Sequence, residues 1–232
     1  MQGASAPFFI HESDIFSVID KKVNMKSLIV LLVSSVFVLS GFSQEIPVKG
    51  TYGGMVSVGQ RTTFSTFNAN GDERSALGIG GQFRVRLSDR INTEWFFDYL
   101  PATNTYTRRE DYHIGWSVHY YLREAPRPKW QPYVLAGHCF DYTHHVDLSD
   151  RTNQIQRWSS AIQAGVGNHF NLTPRLDMSI MAQYMLHLGT HIHSHIHDDK
   201  VSFHSEKGGI MEGHLLFTVG FNYAITDLWG GK

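Results

Sequence analysis

From about residue 50 onward, apolar residues recur at every second position, and no segment shows a helical period. A period of two is the spacing of a β-strand whose two faces meet different surroundings. In residues 77–87, Leu77, Ile79, Gly81, Phe83, Val85 and Leu87 fall on one face, with Gly78, Gly80, Gln82, Arg84 and Arg86 on the other. Next, Ile91, Thr93, Trp95, Phe97 and Tyr99 oppose Asn92, Glu94, Phe96, Asp98 and Leu100. Then Tyr112, Ile114, Trp116, Val118 and Tyr120 oppose Asp111, His113, Gly115, Ser117 and His119. The pattern returns in 158–170, 176–188 and 214–223. Two weaker segments, around 52–64 and 133–142, complete a set of eight. The second changes phase near Gly137–Phe140, which predicts a bulge there or a face read the wrong way round.

The joints carry a second pattern. Ser88-Asp89-Arg90 and Asn171–Arg175 read as tight turns, and Arg123–Pro132 as a longer but compact one. Roomier connections alternate with them, at about 65–74, 101–109, 143–157 and 190–210. Short joints on one rim and long ones on the other predict an all-β, eight-stranded antiparallel up-and-down transmembrane barrel.

The choice of solvent follows from the faces. Trp, Phe, Ile and Leu dominate one side, whereas the other mixes Gly with Arg84, Arg86, Glu94, Asp98 and Asp111. An eight-stranded interior is narrow and filled by side chains, so small residues and paired charges suit the lumen and bulky apolar ones suit lipid. Tyr99, Tyr112 and Trp158 are expected at the loop rim, and Tyr120, Tyr133, Phe170 and Tyr223 at the turn rim, as two interfacial girdles. The competing arrangement is a secreted lipocalin-like barrel with the faces reversed. Net charge is −1, from 20 Lys+Arg against 21 Asp+Glu, so there is no basic excess for nucleic acid.

With these strands in place, the chain resembles the eight-stranded outer-membrane barrels of the OmpA/OmpX type over roughly residues 50–223. The resemblance is carried by Gln131-Pro132-Tyr133-Val134-Leu135-Ala136-Gly137, by Ala164–Leu176 around a turn, and by the closing strand Phe217–Tyr223. It implies a monomer in the cell outer membrane with lipid as its partner. Nine residues follow Tyr223, whereas such barrels often end on an aromatic residue, and no peptidoglycan-binding domain is expected after it.

The N-terminal region reads as an export signal. Lys26, the apolar run Leu28–Leu39, and small residues Gly41 and Ser43 before Gln44 give the three parts of a signal peptide over 25–43. Residues 1–24 carry Glu12, Asp14 and Asp20 ahead of the basic start, so they read as an over-extended or disordered N-terminus. The barrel domain is then 44–232. Cys139 is the only cysteine, so neither an internal disulfide nor lipidation of a first mature Cys is available.

Three functions remain open. A lumen charge network of Arg84, Arg86, Glu94, Asp98 and Asp111, with the two arginines facing the two acids of the next strand, makes a structural plug in a barrel with a structural or surface-interaction role. Alternatively, His191, His193, His195 and His197 form a histidine-rich extracellular loop. If extended, it lines its imidazoles at roughly 7 Å intervals, and two of them plus a carboxylate from a facing strand suit zinc, copper or nickel. The third reading is a lipid-modifying enzyme with a His–Ser pair on the lipid-facing rim. His193-Ser194 and His204-Ser205-Glu206 have the residue types but not the spacing, so no catalytic residue is assigned. The ligand of the loops is not legible from their composition.

Overall fold

The computed structural model describes residues 53–67, 75–123, 128–189, 191–197, 200–206 and 213–229. The expected signal peptide, its upstream extension and the first residues of the barrel domain lie outside them. Among the described residues there are ten strands: β1 (Met55–Phe67), β2 (Ala76–Arg86), β3 (Ile91–Thr103), β4 (Thr107–Tyr121), β5 (Trp130–Asp147), β6 (Gln154–Asn171), β7 (Leu176–Leu188), β8 (His191–His197), β9 (Lys200–Glu206) and β10 (Gly213–Asp227). Eight close into one antiparallel barrel in the order β1-β10-β7-β6-β5-β4-β3-β2, while β8 and β9 pair as a separate ribbon.

The alternation maps onto the wall. Ile79, Phe83, Trp95, Phe97, Ile114, Trp116, Ile180, Phe217 and Val219 are exposed outward. Arg84, Glu94, Asp98, Asp111, Gln163, Gln183 and Asn222 are buried inward. A water-facing barrel places these classes the other way round, so the outer belt is built for hydrocarbon. At the loop rim, Tyr99, Tyr112, Tyr142 and Trp158 form a continuous aromatic chain across four strands, with ring centroids 5.0, 5.9 and 4.9 Å apart. Tyr120 and Trp130 stand exposed toward the other rim. Eight positions separate Tyr112 from Tyr120 on β4, about 20 Å along the axis at ordinary rise and tilt, close to the height of an outer-membrane apolar band.

Both tight turns use one device. Leu87 and Ser88 N–H donate to the Ile91 carbonyl while Ser88 Oγ accepts from Ile91 N–H at 3.1 Å. Leu172 and Thr173 N–H donate to the Leu176 carbonyl while Thr173 Oγ1 accepts from Leu176 N–H at 2.9 Å. A hydroxyl in this position satisfies backbone donors that the ladder leaves open.

Two expectations are corrected. The segments 101–109 and 143–157 are not roomy loops, because β3–β4 and β5–β6 stay paired as far as Thr103↔Arg108 and Val146↔Gln154. Their tips are short and pinned. Asn104 Oδ1 accepts from the N–H groups of Tyr106 and Thr107 at 2.9 and 2.6 Å. Asp147 Oδ1 accepts from Ser149 N–H at 2.8 Å, and Asp150 Oδ1 from Thr152 Oγ1 and N–H at 2.6 and 3.0 Å. The Thr152 hydroxyl bond, then its N–H bond, holds the Asp150 carboxyl below the ordinary carboxylate range.

The second correction is the placing of Tyr133; for β5 itself, the face read the wrong way round, one of the two expected alternatives, is what holds. The strand has no bulge, and its register against β4 and β6 runs unbroken. The face was misread: Tyr133, Leu135 and Cys139 point inward and are at most 5% exposed. Tyr133 is therefore not in the turn-rim girdle but stacks on His119 at 4.5 Å. Gly167 makes this possible, since a Cβ there would overlap the Tyr133 ring, just as one at Gly115 would meet the Phe96 ring at 2.6 Å. The register shift that does occur lies in the β1–β10 seam, between Val56 and Ser57.

Candidate functional site

The lumen is the most elaborated part of the molecule. All five sequence-derived charged residues point into it, each at most 7% exposed. The expected pairing of Arg84 and Arg86 with Glu94 and Asp98 is not what forms, even though Arg84 and Glu94 stand opposite in register. Instead Arg61 of β1 takes both acids, with Nη1 on Glu94 Oε1 and Nε on Asp98 Oδ1, each at 3.0 Å. Its guanidinium also lies 4.4 Å from the centre of the Phe96 ring. Arg84 Nη2 donates to both oxygens of Asp177 on β7 at 2.6 Å, and its Nη1 lies 2.8 Å from His169 Nε2. Arg86 turns to the β2–β3 turn, donating to the Asp89 carbonyl at 2.6 Å and covering the Tyr121 ring at 4.6 Å. Side chains project toward whichever wall the barrel's shear brings near, so the hydrogen-bonded strand neighbour need not be the partner.

A second cluster lies toward the loop rim and centres on Asp141 of β5. Its Oδ2 accepts from Arg157 Nη2 and Ser159 Oγ and lies 3.2 Å from His187 Nδ1, while Oδ1 is 3.4 Å from His113 Nε2. His214 packs on His187 at 4.5 Å. Asp111 is held by Arg109 Nε at 2.7 Å and by the Thr143 hydroxyl at 2.8 Å. Arg61, Arg84, Arg109 and Arg157 thereby each face a buried carboxylate, as a narrow lumen demands. Among the described residues no three His, Cys, Asp or Glu are grouped to hold a metal. A small polar recess opens at the turn rim between Ser57, Arg84, Arg86, Tyr121, His169 and Asp177.

Sequence reasoning did not single out Arg61, Asp141 or Arg157. Arg61 sits in the weak first segment, where outward Gln60 and Thr62 dilute the alternation, and Asp141 sits on the strand whose phase was misread. It also missed a polar pair on the lipid face. His138 Nε2 and Ser160 Oγ share a hydrogen bond at 2.5 Å, with Phe140 edge-on to the imidazole. The two are far apart in sequence and meet only through the β5–β6 register.

The histidine-rich stretch is neither a helix nor an open loop. His191–His197 is strand β8, paired antiparallel with β9. From β9, Val201 is buried, and the Phe203 ring packs at 5.9 Å on His145, an inward residue of the β5 extension. Asn153 Nδ2 donates to the Val201 carbonyl at 2.8 Å. The ribbon is thus tethered to the β5–β6 hairpin.

No family model and no curated protein matches the chain. Solved structures do. Neisserial surface protein A is 15% identical over 76% of this chain and 100% of its own, with a TM-score of 0.50. The outer-membrane protein OprG from Pseudomonas aeruginosa is 14% identical over 77% and 99%, also at 0.50. At such identity the likeness speaks for the fold, and it agrees with the outward belt, the closed ladder and the filled lumen. The protein is an eight-stranded antiparallel β-barrel of the outer-membrane type.

Proposed function

We propose that the chain is a closed, non-conducting outer-membrane barrel with a surface-interaction role, displaying structured hairpins beyond the loop-rim aromatic girdle. The single observation that carries this reading is the crossed ion pairing of the lumen. Arg61 bridges Glu94 and Asp98, and Arg84 grips Asp177, with no more than 11% exposure at any of these side chains. Ions cannot pass without breaking buried pairs, a cost of several kcal/mol each. The hairpins remain hydrogen-bonded to their tips and so present a fixed shape. In planar-bilayer recordings the purified protein is expected to give no conductance steps, and steady porin-like steps would overturn the closed lumen. A cysteine placed at Asp150 is expected to react with a membrane-impermeant maleimide in intact cells. Labelling only after lysis would overturn the outward display.

A second reading, action on an acyl ester within the membrane, has the His138–Ser160 hydrogen bond in its favour. A base within reach of a hydroxyl is the first requirement of a serine nucleophile, and a group orienting the base is the next. The register sets Trp116 and Ile162 beside His138, an apolar setting in which the pair satisfies its own polarity against lipid. Mass spectrometry of envelope lipids from cells carrying Ser160→Ala separates the readings. An unchanged lipid profile supports the surface role, and loss of a deacylated species supports the enzyme.

A further inference from the structure

The geometry points to a binding site for a small carboxylate in the polar recess at the turn rim, held by the side-chain amides of Asn92 and Gln131. The recess is lined from seven of the eight wall strands, β1 to β7. It encloses about 20 Å³, above what a single water requires, so it suits a small ionic head and not a bulky one.

Two donors in this lining go unmet. Asn92 and Gln131 are 3% and 1% exposed, and Asn92 Nδ2 and Gln131 Nε2 have no hydrogen-bond partner among the described residues. A buried N–H without an acceptor is costly, so each calls for an acceptor from outside the wall. The two stand on different strands, β3 and β5, yet line the same recess, so one ligand can serve both. Acceptors of the lining are already engaged. Both oxygens of Asp177 take Arg84 Nη2, and one also takes Asn222 Nδ2. Ser57 Oγ accepts from Arg84 Nε at 3.3 Å, and the Tyr121 hydroxyl shares a hydrogen bond with His169 Nδ1 at 3.0 Å.

The surroundings then select the ligand. The register sets Asn92 directly opposite Arg86, so one of the unmet amides stands beside a guanidinium, and Arg84 lines the same recess. Two guanidinium groups and one carboxylate in the lining favour an anion over a cation or a neutral acceptor. Of the oxyanions that guanidinium donors hold, carboxylate and phosphate, the small volume favours the flat two-oxygen head of a carboxylate. Short turns mark the periplasmic rim of such barrels, so the carboxylate arrives from that side, as a free acid or as the end of a chain. The site lies on the rim opposite the displayed hairpins, and its failure leaves the surface role untouched.

The test uses the full-length protein in nonionic detergent micelles, with binding read from the NMR line width of isotope-labelled acetate in chloride-free buffer. Heat-modifiable gel mobility confirms that each variant is folded. Acetate is expected to broaden on the wild-type protein, and acetamide, its neutral counterpart, is expected not to displace it. Asn92→Leu and Gln131→Leu are each expected to weaken acetate binding by about tenfold or more. Gln131→Glu, which brings a carboxylate of its own into the recess, is expected to abolish it. Arg90→Gln is expected to stay close to wild type, because that guanidinium is held on the Tyr120 hydroxyl and not in the recess. N-acetyl-Ala-Ala with a free acid end separates the two sources: displacement of acetate at lower concentration than unlabelled acetate assigns the site to a chain end, and displacement only at equal or higher concentration assigns it to a free acid. An unbroadened wild-type signal, displacement by acetamide, or equal loss in Arg90→Gln, which is the behaviour of loose attraction to a basic rim, would overturn the proposal.

Discussion

Arg84 on β2 places Nη2 at 2.6 Å from both carboxylate oxygens of Asp177 on β7, across a stretch of wall that includes β1 and β10. Ser57 and His169 complete the grip on the guanidinium, and Asn222 Nδ2 donates to Asp177 at 3.2 Å. The contact therefore ties five strands together near the turn rim.

Removing one partner of such a pair leaves an uncompensated buried charge. Asp177→Ala is expected to destabilise the folded barrel by about 3–5 kcal/mol, read from urea-dependent loss of heat-modifiable mobility in lipid vesicles. Arg84→Met with Asp177→Leu is expected to recover most of that loss, because both charges then leave together. A single variant as stable as wild type would show that the pair is solvated.

Arg61 makes a sharper case, since it serves two acids. Arg61→Ala is expected to be less stable than either Glu94→Gln or Asp98→Asn, because it strands two carboxylates and each of those variants removes only one. The same vesicle-based unfolding measurement ranks the three, and Arg61→Ala emerging as the mildest would contradict the assignment.

On the lipid face, depth sets the penalty. Val219→Arg, midway along β10, is expected to cost about 2–4 kcal/mol, while Ile225→Arg near the turn rim is expected to cost no more than about 1 kcal/mol. Equal costs at both positions would mean that the apolar belt has been placed at the wrong height.

Gly167 exists to seat Tyr133. Gly167→Val forces the ring off His119, and the overpacking is expected to cost about 1–3 kcal/mol. Combining Gly167→Val with Tyr133→Ala is expected to cost less than the two changes added separately. Simple additivity would refute the relationship.

The strands and their faces were legible because each residue of a thin barrel wall touches either hydrocarbon or lumen, and that contrast prints a period of two. Legibility failed where it weakened. On β5, Tyr133, Leu135 and Cys139 join an inward apolar layer while Val134 and Phe140 face out, so both sides are greasy and the phase is ambiguous. On β1, Gln60 and Thr62 face outward beside inward Arg61 and Thr63, so both sides are polar. The lumen pairs were the least legible of all. Alternation assigns Arg84 and Asp177 to the interior but carries no information about the strand tilt and shear that decide which inward side chains meet. The His138–Ser160 contact was hidden for the same reason.

The β1–β10 seam places Phe64 directly opposite Phe217, 153 positions later in the chain. A seven-strand intermediate would enter hydrocarbon with two raw margins of unpaired peptide groups, which lipid cannot solvate. Such distant pairing is also intrinsically slow to form. Closure of this wall is therefore all or nothing: β10 must be made before the first strand finds its second mate, and until then the chain must be kept from aggregating by something other than its own fold.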